Sequence, residues 1–249
     1  MINAFSHVFN GAIWRMDIHE RARLMAFEWR NEEGVPHFSV LHYPNGQLLC
    51  DGVQYGDRWW TLAGITAKHL LLHQYARPEQ AMTNGLVAIA ISSGSDVWER
   101  FDIQFQEIVH DGIAVKSSLV SSSTILLLDE HTGSIKKHSI SLADLPPQKR
   151  KLQTAFPTLD PPPIQLTDLP VVGPYFFASD STHSFWSYHQ QINGHYQLWL
   201  AVIAPNNQII FQNCIVDGLT HLLPETFFLI GQQLFFIRNN KREIVSYFV

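Results

Sequence analysis

Residues 84–103 read NGLVAIAISSGSDVWERFDI. Two apolar runs flank a small polar turn at Ser93-Gly94, and Trp98 follows it. Whether this is a lone hairpin or one copy of a repeating unit decides the fold. Four other stretches share the plan: FSVLHYPNGQLLCD turns at Asn45-Gly46, ILLLDEHTGSIKKH at Thr132-Gly133, LAVIAPNNQIIFQN at Asn206-Asn207 and FFIRNNKREIVSYF through Asn239-Asn240. In each, an apolar strand enters a tight turn that accepts positive φ, where Gly costs least and Asn is tolerated. A second strand follows. The opening stretch is one of about five copies.

The aligned turn positions Gly46, Gly94, Gly133, Asn207 and Arg242 are separated by 48, 39, 74 and 35 residues. Spacings of ~40–50 residues belong to a four-stranded propeller blade. Upstream segments supply the other two strands of each blade. They are IWRMDI and RLMAFEWR, RWWTLAGI and KHLLLHQY, then FQEIVHDG and IAVKSSLV. For the fourth blade they are YFFASD and SFWSYHQQI, which turns at Asn193-Gly194 into HYQLWLAVI; for the fifth, GLTHLL and TFFLIG. Helical periodicity is nearly absent. The sequence predicts an all-β chain, a single β-propeller domain over 1–249 with about five four-stranded blades.

The long gap holds a Pro-rich insertion at about 143–174, with eight of the 13 prolines. Proline removes a ladder donor, so this is not a central strand. A short helix over Gln148–Phe156 and an extended, polyproline-like remainder are expected. Two closures are open. The N-terminus completes the last blade as its outermost strand, or IWRMDI is innermost in the first blade and EIVSYFV outermost in the last. The second makes the strand count simpler and is preferred.

Hydrophobic residues are 46% of the 249 and charged residues only 16%, so a core is assured and long charged helices are not. A net charge of −5 gives no footprint for nucleic acid or an anionic membrane. The run Lys149-Arg150-Lys151 is too short to reverse that. Neither a signal peptide nor a membrane helix is legible, and a cytoplasmic location is expected. Cys50 and Cys214 lie in apolar runs and read as free thiols.

The second and third copies resemble the repeat of quinoprotein (PQQ-like) β-propellers, an apolar strand, Asp-x-x-Thr-Gly and a strand carrying Trp. Gly94 and Trp98 match in one copy, with Ala90 at the Asp position; Asp129, Thr132 and Gly133 match in the other, with Lys137 at the Trp position. The chain as a whole resembles an uncharacterised bacterial family of short propeller-like proteins, which implies a fold and no activity. Enzymatic quinoproteins have larger propellers, adjacent disulfide-bonded cysteines and acidic calcium ligands. None of these is matched here, so no cofactor is expected.

Candidate chemistry is sparse. His69 and His73 share one face of a strand, roughly 13 Å apart, too far to chelate one ion. Asp180 and His183 are placed to meet across a turn. Ser121, Ser122 and Ser123 lack a nucleophile elbow. Asp51, Asp57, Asp111, Asp180 and Asp217 sit at strand ends, three of them in Asp-Gly turns. The aromatic excess stands out: Trp59 and Trp60 point to opposite faces, so one is expected in the core and the other at the surface, and Trp186 lies in SFWSY. Trp59, Trp60, Asp180, His183 and Trp186 are the candidate ligand-binding residues. The expected function is a non-enzymatic binding or scaffold propeller, offering one face, and the insertion, to a protein or small ligand. The alternative is a hydrolase or lyase with carboxylates and His183 at the central mouth.

Overall fold

The computed structural model describes residues 1–77, 80–118, 124–141 and 152–249, and every regular element among them is a strand. The chain opens with β1 (Ile2–Val8). Three four-stranded antiparallel meanders follow. The first is β2 (Ala12–His19), β3 (Leu24–Arg30), β4 (Pro36–His42) and β5 (Gln47–Val53). The second is β6 (Trp60–Ile65), β7 (His69–Arg77), β8 (Gln80–Ala90) and β9 (Asp96–Arg100). The third is β10 (Ile103–Val109), β11 (Gly112–Ser117), β12 (Ile125–Leu128) and β13 (Ile135–Ile140). Two short strands come next, β14 (Leu152–Thr154) and β15 (Phe156–Thr158). A fourth meander runs through β16 (Val171–Ser179), β17 (Ser184–Ile192), β18 (His195–Ile203) and β19 (Ile209–Leu219). The last is β20 (Phe228–Ile230), β21 (Gln233–Arg238) and β22 (Glu243–Phe248). The fold class is the expected one, all-β with five propeller blades. They fall into two compact units: Phe9–Arg150 holds the first three sheets, and Met1–Val8 with Lys151–Val249 holds the other two.

Burial explains the blade pattern. Interior strands such as β3 (LMAFEWR) and β11 (GIAVKS) are buried along most of their length, because both faces are covered. The fourth strands are polar edges, with one buried residue in β9 and none in β13. The turns repeat in detail. Gly46, Gly94 and Gly133 sit at φ near 70° and donate their N–H to the carbonyls of His42, Ala90 and Asp129 at 2.8–2.9 Å. Asp129 then accepts from the N–H groups of His131 and Thr132. The Asp-x-x-Thr-Gly pattern is thus a carboxylate-capped turn, and Ala90 leaves its copy without that cap.

The Trp of the repeat also has a place. A Cβ on Gly133 would lie 2.7 Å from the Trp98 ring, and Trp98 Nε1 donates to the Glu130 carbonyl at 3.0 Å. One blade's tryptophan docks on the next blade's turn. Gly133→Ala is therefore expected to cost about 2 kcal/mol, from positive φ and from the blocked contact. Urea denaturation checks it.

Side chains of the first sheet grip the open edge of β6. Buried Glu28 accepts from Thr61 Oγ1 and, at 2.9 Å, from Leu62 N–H, while its other oxygen takes Arg30 at 2.8–2.9 Å. Asp17 accepts from Ile65 N–H at 3.0 Å, and Arg15 donates to the Leu62 carbonyl at 3.3 Å. These bonds satisfy edge groups that no strand pairs.

Three expectations are corrected. The outermost strand of the last blade is not EIVSYFV: β22 is third, and β1 pairs with it from Ile2↔Phe248 to Val8↔Glu243. The other part of the preferred closure holds, since IWRMDI is the first strand of the first blade. GLTHLL is no strand beyond Leu219; its place is taken by Phe228–Ile230. The helix over Gln148–Phe156 is absent from Leu152 onward, where β14 and β15 lie, because each finds a sheet edge to pair with. Residues 148–151 are outside the described residues.

Candidate functional site

The structure separates the candidate residues. Trp60 is a core residue: 4% exposed, it packs edge-on to Tyr55 at 4.6 Å within the shared core of the first two sheets. Trp59 lies in the turn before β6, outside the strand, and is exposed there. Asp180 and His183 do meet across the β16–β17 turn. There Asp180 Oδ1 accepts from the N–H groups of Thr182 and His183, both at 2.7 Å. Partial burial works to raise the Asp180 carboxyl, but these bonds outweigh it and hold the pKa below the usual range. The pair is a turn cap.

The other carboxylates are engaged locally. Asp51 accepts from Ser39, Asp57 from Trp59 N–H, and Asp217 from Gly218 N–H and Gln197. Asp111 pairs with His110 at 3.0 Å. Among the described residues, no three His, Cys, Asp or Glu side chains stand together to hold a metal ion. Ser121–Ser123 and Lys149–Lys151 are outside the described residues.

Trp186 leads to a site. It is buried on β17, with Phe177 at 4.6 Å and Tyr175 at 6.3 Å, and its Nε1 donates to Ser184. With Tyr188 and Ala201 it forms the apolar floor on which Leu166, from the segment between β15 and β16, packs. That segment, 159–170, carries Pro161–Pro163, whose locked φ and missing donors keep it out of the sheet. Instead it arches over the floor and is clamped from below. Gln212 Nε2 donates to the Leu166 carbonyl and to Tyr188 Oη, both at 2.7 Å. Gln190 Nε2 donates to Thr167 Oγ1. Burial is the main influence raising the Tyr188 phenol, so it stays neutral and polar.

The arch encloses an open groove of about 380 Å³, lined by Pro161–Pro163, Ile164, Gln165, Leu166, Thr167, Leu169, Val171 and Tyr175. Leu159 and Leu169 stand 88% and 53% exposed on the same segment. Proline density marked this insertion in the sequence; the lining residues carried no separate signal. A second exposed aromatic was missed: Trp14 on β2, 65% exposed, with the Arg30 guanidinium 5.0 Å from its ring centre.

Two buried histidines link stability to pH. His73 is held down to a pKa of about 4, chiefly by burial and then by Arg15, and neither ring nitrogen finds a partner. Burial also puts His189 at about 4, while its Nε2 accepts from Leu223 N–H. Both folded values lie below the unfolded value of about 6.5, so the unfolded chain takes up the proton first as pH falls. Stability is complete above about pH 6.5 and declines toward pH 4, by about 3 kcal/mol per histidine. Urea titrations at pH 7.5 and 4.5 check this, and His73→Leu is expected to flatten the decline in its unit.

A family model described as a domain of unknown function (DUF4905) matches residues 18–98. No curated protein matches the chain. Among solved structures, BamB from Moraxella catarrhalis is similar at 9% identity, covering 94% of this chain and 84% of that one with a TM-score of 0.34.

Proposed function

We propose that the chain is a non-enzymatic binding module whose working surface is the groove of residues 161–175. The observation that carries this reading is the clamped, open groove itself, with polar Gln165 and Thr167 among its apolar side chains and with exposed Leu159 and Leu169 on the same segment. An arch fixed by buried amides loses little entropy on binding, and exposed leucines at its rim gain from being covered. The ligand is a protein segment with apolar side chains. The hydrolytic alternative loses its base, because Asp180 and His183 hold their own turn. The quinoprotein likeness of the repeats is read as turn chemistry, without a bound quinone.

The test is quantitative capture from cells that express the chain, with wild type, Leu169→Asp and, as a control, Trp14→Ser. A partner held by wild type and by the control is expected to fall at least about tenfold with Leu169→Asp. Equal recovery with Leu169→Asp would overturn the assignment.

A further inference from the structure

Among the described residues, each sheet of the Phe9–Arg150 unit has four strands, but in the other unit each has five. Both extra strands come from one stretch, Leu152–Thr158. β14 adds to β20, with Leu152↔Ile230, Gln153↔Leu229 and Thr154↔Phe228. β15 adds to β16, with Phe156↔Phe177, Pro157↔Phe176 and Thr158↔Tyr175. Between them Ala155 donates its N–H to the Phe227 carbonyl at 3.1 Å.

This strap is lightly held. None of its side chains is buried, and Phe156 is half exposed, whereas Phe228, Leu229, Ile230 and Phe176 beneath it are all under 9% exposed. Pro157 brings no ladder donor. Each ladder is only three pairs long. Side-chain contact comes from Ala155 on the core and from the half-exposed Phe156, edge-on to Phe177 at 5.4 Å.

We propose that the edges of β16 and β20 are a binding site for an extended segment of a partner protein, which the strap occupies in its absence. The strap itself shows the mode: an antiparallel strand added to a sheet edge, with backbone bonds for affinity and alternate side chains for choice. A partner strand without proline, apolar at alternate positions, gains apolar contact that the exposed strap side chains do not make. The site adjoins the groove at Tyr175, but it is made by backbone edges rather than by the arch.

The probe is a fluorescein-labelled peptide, LQTAFVT, which is the strap with valine in place of Pro157. Anisotropy is read on the full chain, wild type and Ala155→Pro; the substitution removes the central strap bond. Binding is expected to be at least about tenfold tighter to Ala155→Pro than to wild type, and unchanged by Leu169→Asp. Absence of binding, or equal affinity for both chains, would overturn the proposal. Should Ala155→Pro not fold, hydrogen exchange on wild type decides. Strap amides are expected to exchange at least about a hundredfold faster than those of β17 and β21. Equal protection contradicts a displaceable strap.

Discussion

Glu28→Ala is expected to remove about 3–5 kcal/mol from the Phe9–Arg150 unit. Glu28 is fully buried, and its two oxygens serve Thr61, Leu62 N–H and Arg30. Truncation leaves a hydroxyl and an edge amide without an acceptor and a guanidinium without its counter-ion. A domain holds only about 5–15 kcal/mol in all, so this loss is a large fraction. Glu28→Gln keeps an acceptor and a similar shape, and is expected to cost less than half as much. Guanidinium denaturation distinguishes the two. Equal and small effects would mean that Glu28 does not tie the first sheet to β6.

Removal of residues 1–8 is expected to have a comparable effect on the other unit. β1 forms the fourth strand on β22, and Phe5, 8% exposed, packs edge-on to Phe235 at 6.3 Å. Loss of a buried Phe alone costs about 3–5 kcal/mol, before any lost ladder bond is counted. The exposed edge of β22, with Ile244 and Val245 fully buried in the intact sheet, also invites intermolecular pairing. Shortened chain should melt at least about 10 °C lower and aggregate on heating. A synthetic peptide MINAFSHV, added in excess, is expected to recover part of the loss by binding the folded form. Unchanged melting without residues 1–8 would remove β1 from the account of closure.

The hairpins were legible because their turns require positive φ, and Gly46, Gly94, Gly133 and Asn207 report that requirement directly. The closing strand was not. INAFSHV buries only Phe5, so locally it resembles any polar edge, and its partners lie more than 230 residues away. FFIRNNKREIVSYF looked equivalent to the other four hairpins but holds the second and third strands of its blade. Pro157 argued against a central strand, and β15 is an edge strand.

The site was half visible. Trp60 is in the core and Trp59 is exposed as expected, but because Trp59 lies in a turn rather than by strand alternation; Asp180 was correctly brought to His183. That Trp186 would be covered was hidden, because its cover is a proline arch pinned by Gln212 from 46 residues away. Such a clamp is written in no local pattern.

The most direct measurement is a hydrogen-exchange footprint of the chain with its captured partner bound. The account predicts slowed exchange in residues 161–175, with the surface around Trp14 and Trp59 unchanged. Protection around those tryptophans, with 161–175 exchanging as in the free chain, would contradict it.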